Sequence, residues 1–216
     1  MKSLGTIRNG GIAGILYVAI LVGSGFMAPP PPAADDPAST FLEYLTDNRT
    51  VSMIQASVTA LLAIPLLPFA ITFGQRIRLL EGEHPILGTA SAAGLLVAWA
   101  AAVPFMMVFG GLAWLANGSL EESDARNLFL LVNIGYGGML ALWAGVAIFS
   151  GLALISAQGV DRWLGWFGFL AALMCAVAAF GWASSGLLSP GMAIFPAYLA
   201  VSAYLLANAI LMVRMK

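Results

Sequence analysis

The chain has 216 residues, of which 61% are hydrophobic and only 9% are charged, and its mean hydropathy is +0.93. A soluble domain has about 25% charged residues, so the composition excludes that class and indicates a single integral membrane domain over residues 1–216 in a lipid bilayer. The net charge of −1 argues against a nucleic-acid partner, which requires a basic face.

Long segments without any Asp, Glu, Lys, Arg or His define the predicted helices. They are residues 9–34, 50–75, 85–120, 127–160 and 163–213. A spanning helix needs about 20 apolar residues, so the last segment holds two spans, with a break between Ser184 and Gly191. We predict an all-α bundle of six transmembrane helices over about residues 10–28, 51–74, 86–116, 127–157, 163–183 and 191–213.

The first of these helices also has the features of a signal peptide, since Lys2 and Arg8 precede an apolar run. The run from Gly10 to Met27 is longer than the usual h-region of about 7–15 residues, and Pro29–Pro32 spoils the cleavage pattern. We therefore expect a retained helix.

The basic residues predict the orientation. One side of the membrane receives only Arg49 and Arg126, and the other side receives the remaining seven, which are Lys2, Arg8, Arg76, Arg78, Arg162, Arg214 and Lys216. Basic residues concentrate on the cytoplasmic side, so both termini are predicted to be cytoplasmic in a cell inner membrane.

The connecting segments contain three further signals. Thr40–Glu43 is a capping-box pattern and predicts a short interfacial helix, which lies on the outer bilayer surface or caps the bundle. Pro65 and Pro68 predict a kink in the second span. Asn117–Gly118 predicts the end of the third span, and a second capping box over Ser119–Glu122 predicts that the fourth helix, the longest, begins near Leu120.

Small residues four positions apart predict close helix packing, because they let backbones approach in lipid. The positions are Gly137, Ala141 and Gly145 in the fourth span, and Gly168, Ala172 and Ala176 in the fifth. Bundle packing alone explains both sets, although such faces also suit a partner membrane polypeptide or a homo-oligomer.

Candidates for chemistry are few. No carboxylate, lysine or histidine falls within a predicted span, which disfavours proton-coupled transport. Metal ligation needs several His or carboxylate ligands, but His84 is the sole histidine and is predicted in a solvated turn with Glu81 and Glu83. Ser184, Ser185 and Ser189 have no neighbouring base. We therefore predict no catalytic residue, metal or cofactor, and lean against an enzyme.

Neutral polar and aromatic residues remain as candidates for ligand binding. They are Gln55, Asn133, Tyr136, Trp143 and Tyr198. Buried amides must be hydrogen-bonded, so a pair between Gln55 and Asn133 would be structural, whereas an outer pocket formed by the set would bind a neutral or apolar molecule.

The opening of the chain resembles a bacterial family of polytopic membrane proteins known only as domain of unknown function 4386. The resemblance covers about the first 80 residues and consists of Arg8, Gly11, Gly14 and Tyr17, with Arg76-Ile-Arg78 closing the second span. It implies a helical bundle in a bacterial inner membrane and transfers no catalytic residue.

Two functions of different classes follow. The leading hypothesis is an interaction or accessory subunit of a membrane complex, based on the small-residue faces and a projecting fourth helix. The alternative is membrane-embedded binding or translocation of a small neutral or apolar molecule or lipid, based on polar groups in spans without charge.

Overall fold

A computed structural model describes residues 2–81, 86–157, 162–180, 186 and 193–215. The described residues form helices and no strand. The helices are α1 (Lys2–Gly25), α2 (Ala38–Asp47), α3 (Arg49–Leu61), α4 (Ala63–Glu81), α5 (Leu87–Leu115), α6 (Glu122–Ser156), α7 (Arg162–Ala179) and α8 (Ile194–Arg214).

Six helical paths are long and apolar enough to cross a membrane: α1, α3 with α4, α5, α6, α7 and α8. The predicted six-helix bundle is therefore confirmed, and the chain is a multi-pass membrane protein. The fourth span, α6, has 35 residues and is the longest helix, as predicted.

The spanning helices form a closed ring. Each packs against the next in chain order, and α1 packs against α8. The main buried core lies inside this ring, where Phe69 of α4, Leu140 of α6 and Tyr204 of α8 are fully buried. The short helix α2 lies against α6 and α5 at one end of the ring, which we call the α2 end.

The second span is interrupted at Leu62, between α3 and α4. A proline ring clashes with the carbonyl four residues earlier and removes one hydrogen bond. Pro65 therefore explains why α3 ends at Leu61. Pro68 lies inside α4, so the predicted distortion occurs before the first proline.

Both predicted capping boxes are wrong. Helix α2 begins at Ala38 after Pro37, whose φ of −56° already suits a helix, and no side chain caps it. Helix α6 begins at Glu122, because the Ser119 hydroxyl donates to the Leu115 carbonyl of the preceding helix (3.4 Å). Gly118 has φ of +136°, which permits the turn after α5.

The close contact between α6 and α7 includes the predicted Gly168 but is tightest at two glycines outside the predicted sets. A Cβ on Gly151 would lie 3.0 Å from the Gly165 carbonyl, and one on Gly165 would lie 2.7 Å from the Gly151 carbonyl. Gly168 faces the Ala147 carbonyl in the same way, at 2.9 Å. These small residues allow the two backbones to meet.

The stripe predicted on α6 does not act as one packing face. Gly137 does approach α7, with the Ala178 carbonyl 3.1 Å from an added Cβ, but Ala141 is exposed. A Cβ on Gly145 would meet only Phe149 of its own helix, at 3.8 Å. A spacing of four drifts around a helix with 3.6 residues per turn, which explains why the stripe leaves the contact.

On α7, two of the three predicted packing residues are in the core. Gly168 and Ala172 are buried, whereas Ala176 is partly exposed. The buried line continues instead through Cys175 and Ala178.

Candidate functional site

A cavity of about 240 Å³ lies at the α2 end of the bundle. Its walls come from α1, α3, α5, α6 and α8, and the segment after α1 and Tyr44 of α2 complete it. Helix α2 is held there by its apolar face, since Phe41 and Leu45 are fully buried and Phe41 packs edge-on against Phe129 of α6 (5.4 Å between centroids).

Four of the five predicted ligand-binding residues line this cavity: Gln55 of α3, Asn133 and Tyr136 of α6, and Tyr198 of α8. Residues far apart in the sequence therefore meet around one space. Trp143, the fifth, does not reach this cavity but lines a smaller chamber that adjoins it.

The predicted hydrogen bond between Gln55 and Asn133 is not formed in the described structure. The Gln55 side-chain amide instead donates to the Ser24 carbonyl at the end of α1 (2.6 Å). The Tyr198 hydroxyl donates to the Leu21 carbonyl, also on α1 (2.5 Å). These two bonds leave the Gln55 side-chain carbonyl as an acceptor and fix the wall formed by α1.

Asn133 and Tyr136 differ, because neither side chain has a hydrogen-bond partner in the part of the chain that the structure describes. An amide supplies two donor hydrogens and an acceptor oxygen, and a phenol supplies one donor hydrogen and an acceptor oxygen. Both residues are half-buried. The cavity thus presents unused donors and acceptors on one wall, beside apolar residues such as Met106 and Phe109.

No described lining residue carries a charge. Tyr44 outside the spans donates its hydroxyl to the Pro29 carbonyl (3.2 Å), and burial raises its pKa, so it stays neutral at ordinary pH. The cavity therefore offers hydrogen bonds and apolar contact without a counter-ion for an ionic ligand.

The adjoining chamber has a volume of about 20 Å³ and shares Leu21, Thr59, Tyr136 and Tyr198 with the cavity. Trp143 in its wall is 4% exposed, and its indole N–H has no acceptor among the described residues. Trp99, by contrast, donates to the Thr59 carbonyl (3.1 Å). A space above about 10–15 Å³ holds a water molecule, so the chamber suits a water or one acceptor atom of a ligand.

A second polar cluster lies towards the opposite end, and the sequence analysis missed it. Arg76 was predicted in the inner loop, but α4 continues to Glu81 and the side chain is 3% exposed. Its guanidinium donates to the Asn208 side-chain carbonyl (2.6 Å), and the Asn208 amide donates to the Tyr204 carbonyl (3.0 Å). The Tyr204 hydroxyl lies 2.6 Å from that of Ser150. The cluster joins α4, α8 and α6.

The remaining candidates provide no catalytic geometry. Glu83, His84, Ser184, Ser185 and Ser189 lie outside the described residues. The Glu81 carboxylate accepts the Gly88 backbone N–H (3.1 Å), which is a structural contact. Among the residues described, no three His, Cys, Asp or Glu side chains group closely enough to hold a metal ion.

The fold and this cavity define the class of protein: a multi-pass helical membrane protein with a cavity at the α2 end that no described charged residue lines. No family model, curated protein or solved structure matches the chain. The resemblance of the first 80 residues to the bacterial family thus stays a prediction, and function has to be argued from the cavity.

Proposed function

We propose that the protein binds a small, neutral, largely apolar molecule in the cavity at the α2 end. The observation that carries this proposal is the pair of unpartnered side chains, Asn133 and Tyr136, on one wall of an uncharged cavity. Polar groups that face a cavity without protein partners are free to hydrogen-bond a ligand with complementary donors and acceptors.

The size and chemistry of the cavity limit the ligand. Drug-sized ligands occupy pockets of roughly 300–1,000 Å³, so a cavity of about 240 Å³ suits a smaller molecule. Asn133 and Tyr136 can donate to a carbonyl or hydroxyl oxygen, and the Gln55 carbonyl can accept from a hydroxyl or amide. Phe109, Phe129 and Met106 favour an apolar ring or short chain beside these groups.

The leading hypothesis from the sequence is an accessory subunit, which rests on the small-residue faces and on the projecting start of the fourth helix. Of these small residues, Gly137, Gly168 and Ala172 pack inside the bundle, whereas Ala141 is exposed. The extension of α6 at the α2 end is covered, since Ala125 and Phe129 are buried in a cluster with Phe41. Binding of a small molecule is therefore the better supported function.

We also propose that the cavity faces the outside of a bacterial inner membrane, with both termini in the cytoplasm. The charges support this orientation: Arg49 and Arg126 lie in the first two turns of α3 and α6 at the α2 end, whereas Arg78, Arg162 and Arg214 lie near the helix ends opposite. Basic residues favour the cytoplasmic side.

The test compares two amide-to-leucine changes on α6. Asn133→Leu removes a group that lines the cavity, whereas Asn127→Leu removes an exposed amide less than two turns earlier on the same helix. Protein purified in mild detergent is extracted with organic solvent, and co-purified small molecules are identified by mass spectrometry. We expect the wild type and Asn127→Leu to carry one recurrent neutral compound and Asn133→Leu to lose it.

Thermal stability separates binding from structure. Gln55 has a protein partner in Ser24, so Gln55→Leu is expected to lower stability by about 0.6 kcal/mol, the average for interhelical hydrogen bonds in membranes. Asn133 has none, so Asn133→Leu should leave the ligand-free protein as stable as the wild type. Loss of stability in Asn133→Leu with no compound in any sample would contradict the proposal.

A further inference from the structure

A second surface, on the lipid-facing side of the bundle, forms a groove between α3 and α5. It is lined by Arg49, Met53, Ile54, Val58 and Trp114, among others, and encloses about 490 Å³. It shares no residue with the cavity described above. The two helices approach closely beside it, since a Cβ on Gly110 would lie 2.7 Å from the Ala56 Cβ.

The groove has a polar top and an apolar wall. Arg49 is the first residue of α3, and Trp114 is one residue from the end of α5, so both lie at the same end of the bundle. Trp114 is 58% exposed, as is usual for tryptophan at headgroup depth. Met53 and Ile54, also exposed, and Val58 continue the wall along α3 towards the bilayer centre.

Arg49 lacks a partner for its charge. Its Nε atom is buried and has no acceptor, and no carboxylate pairs with the guanidinium within the described ranges. Arg126, the other basic residue at this end, also has a buried Nε without an acceptor, but its Nη2 donates to the Ala34 carbonyl (2.9 Å) and it does not line the groove. A guanidinium binds phosphate oxygens through two parallel hydrogen bonds, so an anionic phosphate would satisfy Arg49.

We infer that this groove binds a membrane phospholipid, with the phosphate at Arg49 and an acyl chain along Met53, Ile54 and Val58. Trp114 borders the headgroup. A headgroup with net negative charge is favoured over a zwitterionic one, because no acidic side chain of the groove is present to bind an ammonium group.

The purified full-length chain in nonionic detergent is titrated with phosphatidylglycerol and, separately, with phosphatidylcholine, and the first bound lipid is measured by native mass spectrometry. The wild type should bind phosphatidylglycerol more tightly. Arg49→Gln should weaken that first binding by about tenfold, since hydrogen bonds to a charged group are lost. Arg126→Gln removes the same charge from the same end and should leave it unchanged.

Equal weakening by Arg49→Gln and Arg126→Gln would overturn the inference, because it would indicate general surface charge. Wild-type affinity in Arg49→Gln would overturn it too, as would displacement of the lipid by inorganic phosphate. If Arg49→Gln does not fold, Ser57→Trp provides the test of lipid binding. The added indole fills the groove from an exposed position, and the charge of Arg49 is kept. This substitution should weaken binding, and unchanged affinity would end the proposal. Each result is independent of whether the internal cavity has a ligand.

Discussion

Alanine substitutions at two glycines should change stability in opposite directions. At Gly165 of α7, an added Cβ would lie 2.6 Å from Ile155 Cγ1 and 2.7 Å from the Gly151 carbonyl oxygen. The carbonyl belongs to the backbone of α6, so the helices must separate by several tenths of an ångström. Such overpacking costs about 1–3 kcal/mol, from which alanine's helix preference of about 1 kcal/mol is subtracted. Gly165→Ala should thus lower stability by up to about 2 kcal/mol.

Gly145→Ala is the matched control on the facing helix. The new Cβ would meet only Phe149 of the same helix, at 3.8 Å, which is an ordinary contact. Because there is no clash, only the helix preference of alanine over glycine changes the free energy of unfolding. Stability should therefore rise by about 0.5–1 kcal/mol.

The single buried thiol provides the assay. Cys175 lies on α7 and is fully buried, so a fluorogenic maleimide reacts with it only when the bundle opens on heating. For proteins of this length, 1 kcal/mol corresponds to about 2–4 °C in Tm. We expect a lower Tm for Gly165→Ala and a higher one for Gly145→Ala. Equal Tm values, or a lower Tm for Gly145→Ala alone, would refute the assignment of the α6–α7 contact.

Three further outcomes are expected. Asn208→Leu should lower stability by about 1.5–3 kcal/mol, since it removes an acceptor from the buried Arg76 guanidinium; a wild-type Tm would show that this bond is not important for folding. The affinity of the cavity for its ligand should not change between about pH 5 and pH 8, because no described lining residue titrates in that range. A transition between these pH values would indicate an ionisable group at the site and would contradict this expectation. In a Cys175→Ala background, single cysteines at Asp36 and Glu122 should react with an impermeant thiol reagent on intact cells while one at Glu81 should not, and the reverse pattern would invert the proposed orientation.

The bundle could be predicted from the sequence because most of the chain consists of long charge-free segments. Such a segment satisfies its backbone hydrogen bonds in lipid by forming a helix. Helix starts were less predictable. The Thr40 and Ser119 capping patterns were wrong because Pro37 initiates α2 earlier and the Ser119 hydroxyl bonds to the preceding helix. Local patterns compete with such neighbours, and a single sequence does not reveal which one prevails.

The candidate site was predicted in its residues but not in its bonds. Neutral polar residues in apolar spans identified Gln55, Asn133, Tyr136 and Tyr198, which meet at one cavity. Their partners could not be predicted, since the Ser24 carbonyl that binds Gln55 is a backbone group with no sequence signal. The burial of Arg76 has no sequence signal, because the end of a charge-free segment predicts the end of a span, whereas α4 continues past Arg76 to Glu81.

The most direct test of the central claim is a high-resolution map of the protein purified in mild detergent. We expect non-protein density in the cavity at the α2 end, within about 3.2 Å of the Asn133 amide and the Tyr136 hydroxyl, the range of a hydrogen bond. A cavity that holds only ordered water, or one closed by a hydrogen bond between Asn133 and the protein, would contradict the proposed binding function.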